Sequence, residues 1–194
     1  MFVPRKAALA LPALLVLTLG GCALLEPAGT NVPLTGIAAC ALGHTWTQDF
    51  EGLKQQITDD LSKKGINATG VTFTGEQTME WTEKSQMSIS GDYTIAVTTA
   101  EAEDKTLTVT EAHHGTASGA AYINGDIAIP RNWETTFGWD TTADLSGETL
   151  EAPPYGLPVT VFDDSVGLIL TCDGDTLTIH PRGSKLTQTW TLVK

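Results

Sequence analysis

Apolar and polar positions change period twice along this chain. From Ala7 to Leu19 apolar residues run almost unbroken for 13 positions; from Phe50 they recur at helical spacing; from Val71 onward they alternate every second residue. The middle pattern is the simplest to read. Phe50, Leu53, Ile57 and Leu61 fall at i, i+3, i+7 and i+11, a single stripe, while Glu51, Lys54, Gln55, Asp59 and Ser62 face away, which predicts an amphipathic helix. Thr47 or Asp49 can cap its start, Lys63 and Lys64 suit its C-terminal dipole, and Gly65-Ile66 fits a left-handed stop with a hydrophobic contact. Before it, Ala39 to Asp49 reads as a first strand with Cys40, Leu42, His44 and Trp46 on one face.

The period-two region predicts a series of strands. Val71, Phe73, Met79 and Trp81 share one parity, followed by Ile89, Tyr93, Ile95 and Val97, then Leu107 and Val109, then Ile127 and Ile129. Val159–Phe162, Gly167–Cys172, Thr176–His180 and Thr187–Val193 complete the series, with Asp173-Gly174 as a tight hairpin signal. Gly75-Glu76, Glu83-Lys84, Gly91-Asp92 and Glu103-Asp104 read as turns, and the small residues of Gly115 to Gly125 as a loop with a poorly packing strand inside it. Asn132 to Pro158, with interspersed aromatics and three prolines, reads as strand-like at its ends and a long loop in its middle. The expected fold class is therefore mainly β: about nine antiparallel strands in an up-and-down barrel or strongly curved sheet, with one α-helix after the first strand. The 30 threonines agree, because many alternate with Val, Ile, Leu or aromatics as strands with one wet face require.

The first apolar run has a different meaning. Arg5 and Lys6 precede it, it is too short to span a membrane, and it ends at Leu19-Gly20-Gly21-Cys22. This resembles the lipobox of bacterial lipoprotein signal peptides. The resemblance implies diacylglyceryl transfer to the Cys22 thiol, palmitate-type acylation, cleavage after Gly21 and a lipid anchor at the extracytoplasmic face of the cell membrane. The alternative is an ordinary secretory peptide with an incidental cysteine. The implied domains are residues 1–21 as signal peptide, 22–38 as a flexible tether rich in Pro and Gly, and 39–194 as one β domain. A tether of that composition reaches roughly 20 Å.

Assigning Cys22 to lipid leaves Cys40 and Cys172 as an even pair in an oxidising compartment. A disulfide between them joins the first strand to a late one; the alternative is two buried free thiols. Charge narrows the partners further. Losing Arg5 and Lys6 with the signal takes the formal charge from −12 to −14, which repels nucleic acid and anionic lipid surfaces. Solubility alone accounts for this acidity, and the membrane is expected as a partner only through the anchor.

The strand carrying Gly43-His44-Thr45-Trp46, then a helix, then a meander closing on a Thr-rich strand, resembles the calycin superfamily of lipocalin-like barrels. Lipocalins carry Gly-x-Trp, whereas Gly43 and Trp46 are separated by two residues. The last strand reads Gln188-Thr189-Trp190 where fatty-acid-binding proteins carry Arg-x-Tyr, so the resemblance implies a neutral ligand, or one held by burial, rather than a carboxylate. Leu170 to Leu177 is also similar in style to small actinobacterial lipoproteins. Open half-barrel lipid carriers of the bacterial envelope are a further architecture to weigh.

Chemistry is sparse. No nucleophile elbow, zinc-protease pair or phosphate loop occurs. His113 and His114 are adjacent and in a strand point to opposite faces, so they do not share a metal readily. No cofactor, metal or catalytic residue is assigned. If the barrel is hollow, Trp46, Trp81, Tyr93, Trp133, Phe137, Trp139 and Trp190 are the candidate pocket lining; otherwise Trp133, Phe137 and Trp139 fill the core. The expected function is non-catalytic binding of a small apolar or amphipathic ligand, with a solid-cored envelope scaffold or interaction module as the alternative.

Overall fold

The computed structural model describes residues 34–101, 104–158 and 162–194. The signal peptide, Cys22 and most of the tether expected over 22–38 lie outside the described residues. The chain runs α1 (Gly36–Ala41), β1 (His44–Asp49), α2 (Glu51–Lys63), β2 (Ala68–Trp81), β3 (Gln86–Ala100), β4 (Thr106–Asn124) and β5 (Ile127–Thr135). It continues with β6 (Gly138–Leu145), β7 (Glu148–Thr149), β8 (Leu168–Asp173), β9 (Thr176–Pro181) and β10 (Gln188–Leu192). The fold is mainly β, and every strand pairing is antiparallel.

The strands form one sheet in the order β3-β2-β1-β10-β9-β8-β5-β4-β6-β7, and β3 also pairs with β4. That last pairing partly closes the sheet into a ring of eight strands, with β6 and β7 attached outside it. The seam is narrowest between β5 and β8, where Ile127 faces Ile169 and Ala128 faces Leu168. No helix among the described residues is long and apolar enough to cross a membrane.

The helix predicted from the Phe50 stripe is α2. Leu53, Ile57 and Leu61 are buried, Asp49 Oδ1 accepts the Glu51 N–H at 2.9 Å, and Gly65 at φ +79° stops it while the Ile66 N–H reaches Leu61 O at 2.9 Å. Its outer end is tied to the segment before β10. Gln56 and Thr187 exchange two hydrogen bonds of 2.9 and 2.7 Å, and Asp60 pairs with Lys64 at 2.8 Å and Lys185 at 3.0 Å. Those lysines hold the Asp60 carboxyl below its ordinary range.

Four expectations are corrected. Residues 36–41 form a helix rather than the start of a strand, because Ile37, Ala38 and Ala41 fall on one helical face against the core; Cys40 therefore sits on α1, and β1 begins at His44. Gly75-Glu76 and Gly91-Asp92 are not turns but interior positions of β2 and β3. Gly115 to Asn124 is not a loop: it completes the 19-residue β4. Asn132 to Leu145 is likewise largely strand, and the irregular part is residues 150–158, after β7. Most of the strand expected at Val159–Phe162 falls outside the described residues. Cys40 and Cys172 form a disulfide, with Cα atoms 6.4 Å apart and a sequence separation of 132.

Two apolar clusters occupy the interior. One, at the α1 end, holds Trp46, Trp81, Trp190, Met79, Leu170 and Ile179 with essentially no exposure. The other, at the α2 end, packs Ile57 and Leu61 against Ile95, Val97, Leu107 and Val109. Each such fully buried side chain contributes roughly 1.5–3 kcal/mol.

Candidate functional site

Between the two clusters the inward-facing residues change character. Two positions along β1 from Trp46 stands Gln48; two along β10 from Trp190 stands Gln188; two along β2 from Met79 stands Gln77. All three glutamines are buried. In the next strands the same level carries no side chain at all, since Gln77 faces Gly91 and Gly91 faces Gly115 across the sheet.

The glycines matter because of what crosses them. β4 pairs with β6 through residues 107–114 and with β5 through residues 117–124, so its partner changes at Gly115. Gly115 has φ +130°, and a Cβ there would lie 2.7 Å from Thr136 O and 2.8 Å from Phe137 Cα. Only glycine lets the β5–β6 connection press this closely onto β4. Farther along, β5 bulges where Ser118 faces Glu134 but Ala120 faces Arg131, with Asn132 at φ +51°. A Cβ at Gly119 would sit 2.8 Å from Trp133 Cε3. The bulge thus aims Trp133 inward over Gly119, a usual service of bulges beside functional sites. Its backbone N–H is held by Asp164 Oδ1 at 2.8 Å, and Phe162 meets its ring edge-on at 6.2 Å.

The result is a cavity of about 100 Å³. Trp133, Phe137, Tyr93 and His113 form much of its wall, Gln77 and Gln188 contribute its polar side, and Thr135 and Trp139 stand at its exposed rim. A second void of about 20 Å³ lies toward α2 and shares Tyr93, His113 and Gln188 with the first. The Tyr93 and His113 rings stack in parallel at 4.7 Å, and His113 approaches Trp139 at 6.1 Å. Behind Tyr93, Phe50 and Phe73 continue the aromatic series at 5.1 and 4.6 Å.

Polar groups in this belt divide into paired and unpaired. Glu111, buried, accepts from His113 Nε2 at 3.2 Å and from the Leu157 N–H at 3.2 Å, which pins the loop after β7 against the interior. Burial, reinforced by the nearby Glu111 charge, pushes the Tyr93 hydroxyl up to about 12, so it remains a protonated donor. In contrast, Gln48 Oε1, Gln77 Oε1, Gln188 Oε1 and Trp133 Nε1 are buried without a hydrogen-bond partner among the described residues.

Of the aromatics singled out from sequence, Tyr93, Trp133, Phe137 and Trp139 come together at the cavity. Trp46, Trp81 and Trp190 do not: they are fully buried in the solid α1-end cluster, with Trp81 Nε1 donating to Ala121 O at 3.2 Å. The glutamines were the residues sequence reasoning missed. Their signal is a polar side chain at apolar parity, two positions from a buried Trp or Met. His114 points out to solvent, opposite to His113. No cluster of three His, Cys, Asp or Glu side chains able to hold a metal occurs among the described residues.

In comparison with known proteins, no family model, no curated protein and no solved structure matches this chain.

Proposed function

We propose that this protein is a lipid-anchored extracytoplasmic binding protein that takes a small, uncharged amphipathic ligand into the cavity beneath Trp133 and Trp139, without catalysing a reaction on it. The observation that carries this reading is the cavity itself: a solvent-reaching void with aromatic walls and a few polar side chains, beside the closely packed α1-end cluster. The anchor rests on the lipobox resemblance at Leu19-Gly20-Gly21-Cys22, and the disulfide suits the oxidising compartment that an exported chain enters. A solid-cored interaction module is the weaker alternative, because close packing leaves no reason for a 100 Å³ void bordered by glutamines with unpaired amide oxygens.

One measurement addresses anchor and ligand together. Native mass spectrometry of detergent-extracted protein is expected to show a chain starting at Cys22 with a diacylglyceryl-type mass increment and a further non-covalent adduct. In Ala117→Phe, whose new ring fills the cavity, the increment stays and the adduct goes. A wild-type spectrum without an adduct sinks the binding reading; an unprocessed chain or an unmodified Cys22 sinks the anchor.

A further inference from the structure

We infer that the cavity selects an uncharged ring-containing molecule bearing an N–H or O–H donor, and that Gln77 and Gln188 are the residues that read that donor. This rests on the ligand-binding reading above and specifies its ligand class.

Gln77 and Gln188 are 6% and 4% exposed, both line the cavity, and the amide oxygen of each lacks a partner among the described residues. A buried carbonyl oxygen left unpaired is costly, and proteins rarely retain one without use. Both side chains border the same void, so a small rotation of either amide would bring its oxygen to a donor on a ligand held there. The Trp133 indole N–H, buried and equally unpaired, offers a donor in return, so a molecule with both donor and acceptor atoms satisfies all three groups.

Charge sets the second limit. Among the described residues no Lys or Arg lines the cavity, so an anion finds no permanent countercharge to offset its desolvation. The buried carboxylate behind the His113 wall, Glu111, already accepts from His113 and the Leu157 N–H, so a cation finds no free partner there. Shape sets the third. Tyr93 and His113 lie within 3° of parallel, and with Trp133 and Phe137 they present flat walls suited to a ring rather than an extended chain.

Three related probes separate these terms: indole, benzofuran, in which oxygen replaces the N–H, and indole-3-carboxylate, which adds a negative charge. Calorimetric titration of the detergent-extracted full chain, with Ala117→Phe as the blank for partition into micelles, is expected to show indole binding roughly 5- to 10-fold tighter than benzofuran. Indole-3-carboxylate is expected to bind at least about tenfold more weakly than indole. In the double variant Gln77→Leu/Gln188→Leu the ratio of indole to benzofuran falls to about one. That variant retains the fold, because apolar isosteres replace unpaired polar groups, and its melting curve checks this. Equal binding of the two neutral probes to the wild type overturns the inference, as does an unchanged ratio in the folded double variant or no saturable binding of either probe. Failure of Ala117→Phe to abolish binding places the probes elsewhere and overturns the cavity reading itself.

Discussion

The α1 end of the barrel and the belt beside it are built from the same strands, one two-residue step apart. On β1, β10 and β2 the step replaces Trp46, Trp190 and Met79 by Gln48, Gln188 and Gln77; on β3 and β4 it runs from Ile89 and Ala117, which border the void, to Gly91 and Gly115. The first level is a solid core of three indoles cross-tied by Cys40–Cys172. The second is a void with unpaired acceptors. The large side chains are thus concentrated at one level, where Trp190 Nε1 also lacks a partner among the described residues, and the three unpaired glutamine oxygens stand at the next; the alternation of a barrel strand is what lets one sheet carry both.

The contrast predicts opposite responses to perturbation. The largest effect belongs to the disulfide. With its ends separated by 132 in sequence, loop-closure entropy assigns the cross-link about 5 kcal/mol. Cys40→Ser/Cys172→Ser is therefore expected to lower the unfolding free energy by up to that amount in urea titration, and a loss under about 1 kcal/mol would show that the α1 end stands without its tie. Next comes a pair on one strand. Trp190→Ala removes a fully buried indole from the packed level and is expected to cost about 3–5 kcal/mol, whereas Gln188→Leu, two residues away, is expected to be neutral or slightly stabilising. If Gln188→Leu costs as much as Trp190→Ala, its amide is structural and the distinction between the two levels fails.

How far this division is legible in the sequence depends on which coordinate is asked for. Parity along a strand says whether a side chain points inward, so the α2 stripe, the Asp173-Gly174 hairpin and the inward set of tryptophans follow directly from spacing. Parity does not say how deep along the barrel axis a residue sits. Depth depends on register, which is why Trp46, Trp81 and Trp190 could not be told from Trp133 and Phe137 as pocket lining. Glycine carries a related ambiguity. Gly75 and Gly91 look like turn residues because glycine serves turns and strand interiors alike; only pairing shows that Gly91 opposes both Gln77 and Gly115. The small residues from Gly115 onward lack alternation because bulky partners from β5 lie over them, as Trp133 does over Gly119. At the N-terminal end, Cys40 and Leu42 share a strand's parity, but two positions are too few to separate that from the turn of helix that Ala38 and Ala41 favour.

The smallest predicted effect sharpens the comparison through pH. The packed level contains indoles and aliphatics, which do not titrate, whereas the belt contains Tyr93, whose hydroxyl is raised to about 12 by burial and by the Glu111 charge. The unfolded chain ionises this tyrosine near pH 10. A raised folded value means the native state holds the proton more tightly, so the contribution is fully present below pH 10 and is lost as pH rises from 10 toward 12. Urea titrations at pH 9 and pH 11.5 are expected to show the wild type losing about 1–2 kcal/mol more than Tyr93→Phe over that interval. The hydroxyl-free ring keeps the stacking on His113 and removes only the ionisation, so the difference between the two proteins isolates the belt's share. An equal loss in both would mean that water reaches the Tyr93 oxygen freely, and the belt would then be an open groove on the sheet rather than an interior level of the barrel.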